Sequence, residues 1–113
     1  MRVIVAGVDD HDVAVAIADE GHAVERVDLA NRPALEGAGV HEVDVLVLTE
    51  VRQATAIPVA KDLTDDLQVV VYADGSLPDF ARGQADLAVD PDLLDPGTVA
   101  EELDSQSQRG PGQ

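Results

Sequence analysis

No cysteine occurs among the 113 residues, so the chain can hold no disulfide, no thiolate metal site and no cysteine nucleophile. Tryptophan is also missing, and Tyr72 and Phe80 are the only two of their kind. Lysine occurs once, as Lys61, and Lys and Arg together number 7. Nucleic-acid backbones and anionic membranes need clustered Lys and Arg. The chain has no such cluster, so neither is expected as a partner. No run of 18 apolar residues is present, which excludes a transmembrane helix and membrane insertion through one. The opening MRVIVAGVDD is too short, and turns acidic too soon, for a secretory signal; a cytoplasmic location is expected.

Acid is what the chain has in excess. Asp and Glu number 23, and the formal net charge is -16. Such a surface repels itself and weakens the compact state at ordinary ionic strength. At molar salt the screening length falls to about 3 Å and the repulsion largely disappears. The acids are spread along the whole chain instead of forming one block. That spread favours adaptation to the salt-rich cytoplasm of a halophile over an acidic module made for a basic partner. Apolar residues make up 45% of the chain, enough for one core, and 113 residues suffice for one domain but not two. The apolar material is mostly Val, Ala, Leu and Ile, which suits strands buried on both faces of a parallel sheet.

Five strands and the helices between them can be read along the sequence. Arg2 to Gly7 is an apolar run closed by glycine. Asp9 to Glu20 opens with acids suited to capping and continues as helix until Gly21 stops it. Ala23 to Leu29 mixes polar and apolar residues, as an edge strand does. Pro33 can open a short helix that Gly37 and Gly39 end. Asp44 to Thr49 and Leu67 to Ala73 are central strands. The helix over Arg52 to Leu63 contains Pro58, which either kinks it or confines it to its later half. Asp79 to Arg82 is one helical turn, and Asp86 to Asp90 a short last strand. Asp92 to Leu103 closes the domain as a helix interrupted near Pro96. Residues 1–104 form the single domain, and 105–113 (SQSQRGPGQ) have nothing to bury and are expected to be a disordered tail.

Alternation of strand and helix implies a three-layer α/β domain, Rossmann-like or flavodoxin-like, with right-handed crossovers. Placing the two more charged strands at the edges gives a five-stranded parallel sheet of order 2-1-3-4-5. Its switch point lies between the first and third strands, so a ligand crevice is expected at their carboxyl ends. Its lining would be Gly7, Asp9, Asp10, Thr49, Glu50, Gln53 and Asp74.

The turn Gly7-Val8-Asp9-Asp10-His11-Asp12 occupies the place of a dinucleotide-binding G-x-G-x-x-G turn. Gly7 matches the first glycine, but Asp9 and Asp12 stand where the second and third belong. Each adds a Cβ and a negative charge where a pyrophosphate would approach. Acidic capping of the first helix accounts better for them. A ring of strand-end acids (Asp9, Asp10, Glu50, Asp74 and Asp90) could hold Mg²⁺. About one residue in five is acidic, however, so roughly two in three five-residue loops carry an acid by composition alone. Asp9 and Asp10 resemble the Mg²⁺-binding pair of response-regulator receivers. The receiver's phosphoacceptor position, by contrast, is Thr49, with Glu50 one residue later, and no lysine follows the last strand, where Asp90 precedes Pro91. This argues against a working phosphorelay. His11, His22 and His41 lack metal-ligand spacing, Ser76 and Ser105 lack a nucleophile-elbow context, and Lys61 suits the end of a helix.

The stretches GHAVERVD, LEGAGVHEVDVLVLTE, AKDL and ARGQADLAVDP resemble TrkA-N (RCK N-terminal) domains, the Rossmann-like regulatory modules of potassium transport. The resemblance covers most of residues 1–104. It implies a nucleotide held by Gly7, Asp28 and Thr49, and a homodimer, because RCK domains pair. With two turn glycines replaced, the chain looks like a degenerate member. It is also similar to short haloarchaeal proteins that often carry the name "CTP synthetase", although it has neither the phosphate-binding loop nor the cysteine that CTP synthesis requires.

The expected function is therefore a non-catalytic regulatory or interaction module. One alternative is a nucleotide-related enzyme, or enzyme accessory, with Mg²⁺ at the strand-end acids. The other is a pseudo-receiver scaffold that binds a protein.

Overall fold

The structure, a computed structural model, describes residues 1–64, 66–75 and 77–109, the last six of these by backbone alone. Five strands form one parallel sheet: β1 (Arg2–Ala6), β2 (Ala23–Val27), β3 (Val45–Leu48), β4 (Gln68–Tyr72) and β5 (Leu87–Val89). Their order is β2-β1-β3-β4-β5, as the charge pattern of the strands predicts. Register is continuous across the centre, with Val5 opposite both Arg26 and Val47, and Val47 opposite Val70. Among the described residues the α-helices are α1 (Val13–Asp19), α2 (Arg32–Gly37), α3 (Ala56–Leu63), α4 (Asp79–Arg82) and α5 (Pro96–Arg109).

Strand alternation sorts the core into two layers. Ile4, Ala6, Leu46, Leu48, Val69 and Val71 pack with Leu35 of α2, Ile57 and Ala60 of α3, and Ala81 of α4. From the opposite face Val3, Val5, Val45, Val47, Val70 and Tyr72 meet Val13 and Ile17 of α1 and Val99 and Leu103 of α5. All four residues of β3 are buried, whereas β2 is mostly exposed, as its place at the edge requires.

Several expected boundaries move, each for a local reason. Helix α1 starts at Val13, not Asp9, because Asp9 itself reaches forward as a cap: its two carboxylate oxygens accept from Val13 N at 2.8 Å and Ala14 N at 3.0 Å. The intervening turn closes through Asp12, which alone among the described non-glycine residues has a positive φ, 57°. Strand β2 ends at Val27, two residues before Leu29. Pro58 does not kink α3. The chain makes a 3-10 turn at Val51–Gln53 and α3 begins at Ala56, so Pro58 lies in the first turn, where no intrahelical donor is needed.

Pro96 likewise does not interrupt α5. It opens the helix, with the side chain of Asp95 accepting from Thr98 N at 2.8 Å. That bond, and a further one with the Thr98 side chain, hold the Asp95 carboxyl below its ordinary value. The backbone of α5 continues to Arg109, past Ser105, where the sequence alone suggests that a tail begins. Residues 110–113 of that expected tail lie outside the described residues, as does Ser76.

Candidate functional site

The carboxyl ends of β1, β3 and β4 surround a small open cleft of about 180 Å³, at the switch point of the sheet. It is lined by Asp9, Asp10 and His11 after β1, by Thr49 and Glu50 after β3, and by Tyr72 and Asp74 at the end of β4. Of the eight residues expected at a ligand site, Asp9, Asp10, Thr49, Glu50 and Asp74 are thus brought together. Gly7, Gln53 and Asp28 do not line the cleft, and each has a physical reason.

Gly7 is buried beneath it. Its φ is +108°, and a Cβ placed there would lie 2.5 Å from Thr49 Oγ1 and 2.9 Å from Glu50 Oε1. The space that a glycine turn leaves for a phosphate is here filled by protein. The Thr49 hydroxyl donates to the Ala6 carbonyl at 3.1 Å, and Thr49 N donates to the same oxygen at 3.0 Å.

The Glu50 carboxylate lies over the turn and accepts three hydrogen bonds. Oε1 takes one from Val8 N at 3.2 Å and one from Gln53 Nε2 at 2.8 Å, while Oε2 takes one from Arg52 Nε at 2.7 Å. The Arg52 hydrogen bond, with help from Gln53, Val8 and the Arg52 charge, holds the Glu50 carboxyl below its ordinary value against the opposing effect of desolvation.

Gln53 is turned inward and only 6% exposed. Its Oε1 accepts from Ala30 N at 2.8 Å, and its Nε2 donates to the Asp28 carbonyl at 3.1 Å as well as to Glu50. The amide therefore ties the segment after β2 to the turn after β3, with both of its hydrogens committed. Asp28 takes part only through its backbone carbonyl; its carboxylate is exposed and outside the cleft.

The expected ring of acids is also rearranged. Asp9 and Glu50 are engaged with backbone and side-chain donors, and neither fits the role of a free metal ligand. Among the described residues, the acids that do converge are Asp74, Asp90 and Asp92, with carboxylate oxygens within 4.8 Å of one another. Asp92 was not singled out from the sequence; the turn that brings it round, in which Asp92 N donates to Asp90 Oδ1 at 2.8 Å, carries no motif beyond Asp90-Pro91-Asp92. The Asp92 charge raises the Asp74 carboxyl above its ordinary value, with desolvation and the charge and hydrogen bond of Asp90 adding to it; a smaller opposing influence comes from His11.

A carboxyl whose folded pKa is raised favours the folded state while protonated. That contribution is lost as pH rises from the ordinary carboxylate value through the raised one. The ionised Asp74 is accordingly destabilising at neutral pH. Asp74→Asn is expected to melt above wild type at about pH 7, and the difference to vanish near about pH 3, where both forms are uncharged. Molar salt should shrink the gain as screening does the work of the substitution. Melting curves across pH and KCl test this; an Asp74→Asn variant that melts below wild type at neutral pH and low salt contradicts it.

Two further residues complete the surroundings. The buried Tyr72 donates its hydroxyl to the Leu94 carbonyl at 2.8 Å, and its ring meets that of His11 edge-on at 5.8 Å. Burial, then the charges of Asp95 and Asp9, push the Tyr72 phenol up. Lys61 is at the other end of the sheet, where it donates to the Leu67 carbonyl at 3.0 Å and pairs with Asp86 at 2.9 Å. The sole lysine is thus unable to serve the cleft, and does more than offset a helix dipole.

The pattern of one protein family, described as a family of unknown function (DUF7126), matches residues 3–103. The chain belongs to that family. None of the curated proteins matches this DUF7126 chain. Solved structures share its fold at low sequence identity. An orphan response regulator of H. pylori is similar with a TM-score of 0.73 at 12% identity, over 93% of this chain and 94% of that one. An atypical orphan response regulator, described as having a phosphorylation-independent regulatory mechanism, gives 0.68 at 14% identity over 93% of each chain. A CheY-like receiver domain protein from Methanospirillum hungatei gives 0.64 at 16% identity over 96% of this chain and 98% of that one. The expected three-layer α/β fold with a parallel sheet of order 2-1-3-4-5 is thus one shared with these structures.

Proposed function

We propose that this DUF7126 chain is a pseudo-receiver: a receiver-shaped scaffold that works by binding another protein and carries out no phosphoryl transfer. One observation carries the reading. The groups that phosphoryl chemistry needs free at the strand ends are absent or engaged elsewhere. Thr49, whose hydroxyl donates to Ala6, stands in place of an acceptor acid. The Asp9 carboxylate caps α1, and Lys61 lies at the opposite end of the sheet. The structural neighbour described as acting independently of phosphorylation offers a precedent for a receiver fold used in this way.

The surface beside the cleft suits a protein partner. Leu93 is 79% exposed and Leu94 follows it, next to the carboxylates of Asp74, Asp90 and Asp92. An apolar anchor bordered by acids complements a partner with basic groups around an apolar contact. In a salt-adapted chain, such a contact would rely more on the apolar anchor as screening grows.

The test exposes the protein to acetyl phosphate with Mg²⁺, and separately to NAD(H), ATP, ADP, AMP, CTP and UTP with and without Mg²⁺, in about 2 M KCl, where the acidic surface is screened. Unchanged intact mass and an unchanged melting temperature are expected. A covalently phosphorylated product would sink the pseudo-receiver reading. A dose-dependent rise with one nucleotide would favour instead the nucleotide-sensing module that the TrkA-N resemblance implies. Retention of a protein by wild type but not by Leu93→Asp, captured in molar salt, is the positive outcome.

A further inference from the structure

The donors around Glu50 have the arrangement of a ligand site. Val8 N and Gln53 Nε2 converge on Oε1, Arg52 Nε meets Oε2, and Gly7 gives way beneath Oε1, where even one added carbon would approach to 2.9 Å. A glycine turn with backbone and side-chain donors aimed at one point is how proteins hold an external anion. Here the anion belongs to the chain, and its side chain is 17% exposed.

We propose that the turn after β1 is a self-liganded anion site, in which Glu50 occupies a cradle for a small monocarboxylate. The donors meet the two oxygens of one planar group, which fits a carboxylate better than a tetrahedral phosphate. The neighbouring Asp9, Asp10 and Asp74 act against a dianion. The turn thus has the shape of a ligand-bound state with no ligand required, and the intact chain is closed to anions at this point. This inference stands apart from the pseudo-receiver reading: an internal carboxylate would fill the turn whether or not a protein binds nearby.

The experiment removes the internal ligand and offers it back. Glu50→Ala is melted at constant molar potassium while chloride is exchanged for acetate, alongside wild type, which corrects for the general stabilising effect of the anion. Glu50→Ala is expected to melt below wild type in chloride. Acetate should raise its melting temperature by more than it raises that of wild type, in proportion to the logarithm of concentration above saturation. Arg52→Ala in the same background should weaken the response, since Arg52 is largely exposed and contributes little else. An equal response in wild type and Glu50→Ala overturns the proposal, as does a larger response to orthophosphate than to acetate. If Glu50→Ala folds only when acetate is present, the rescue is shown directly; if it folds in neither anion, the cradle does not accept an external carboxylate and the proposal fails.

Discussion

Gly7→Ala is expected to lower stability by about 3 kcal/mol, with no ligand involved. Two costs add. A φ of +108° is open to glycine and strained for any other residue, at roughly 1–3 kcal/mol. The new methyl would also lie 2.5 Å from Thr49 Oγ1 and 2.9 Å from Glu50 Oε1, and overpacking of this kind typically costs about 1–3 kcal/mol. Neither neighbour can retreat freely. Thr49 is tied to the Ala6 carbonyl through both its N–H and its hydroxyl, and Glu50 is held by Val8, Gln53 and Arg52. For a domain of this size the loss corresponds to a melting temperature lower by roughly 13 °C, and urea titration gives it as a lower midpoint at unchanged slope. A phosphate-binding glycine with the same φ would lose only the backbone part of this, and its alanine variant would lose affinity as well. A loss of only about 1 kcal/mol, the lower end of the backbone cost alone, would mean that the space above the turn is open and that Glu50 does not rest on it.

The same residue shows what the sequence can and cannot disclose. Strand order was legible because burial on both faces selects uninterrupted apolar runs: VLVL in β3 and VVVY in β4 against AVERV in β2. The place of the cleft followed, since a parallel sheet of order 2-1-3-4-5 has one switch point. Gly7 was legible as the end of the first strand and as the first glycine of a turn whose other two glycines are replaced, and the TrkA-N resemblance implied a nucleotide there. Only the packing shows that the space above it belongs to Thr49 and Glu50.

Side-chain direction is where the sequence was silent. Asp9 could be read as a cap, but its reach to Val13 and Ala14 depends on the left-handed Asp12 that turns the chain between them. Asp28 and Ala30 follow β2 whereas Glu50 and Gln53 follow β3, and nothing in the spacing says that the Gln53 amide joins the two segments. Pro58 confines α3 to its later part, one of the two roles its place allowed, whereas Pro96 misled: it opens α5, and the Asp95 cap before it is visible only once its carboxylate is seen on Thr98 N. The acid cluster of Asp74, Asp90 and Asp92 could not be distinguished by composition in a chain this acidic.

That three-way amide leads to the other large effect. Gln53→Ala is expected to cost about 2–4 kcal/mol, most of it from what is left behind. Ala30 N–H is buried and has Gln53 Oε1 as its partner; without it the donor is stranded, and a stranded buried donor costs about 1–3 kcal/mol. The Asp28 carbonyl and the Glu50 carboxylate each lose the same Nε2 donor, and the vacated volume beneath the loop adds a cavity term. Gln53→Glu separates these contributions. It keeps an acceptor for Ala30 N but turns an anion towards the Asp28 carbonyl and the Glu50 carboxylate, so it should be at least as destabilised as Gln53→Ala at neutral pH. As pH falls and one of the paired carboxyls takes up a proton, the proton supplies the missing donor and stability should return. Gln53→Ala has no second carboxyl to share a proton with Glu50 and should show a smaller recovery. Hydrogen exchange at the Ala30 amide gives the local measure: protected in wild type, and much faster in Gln53→Ala even below the melting transition. Retained protection together with an unchanged urea midpoint would show that the loop after β2 is held by its backbone alone, and that Gln53 is a passenger in the core.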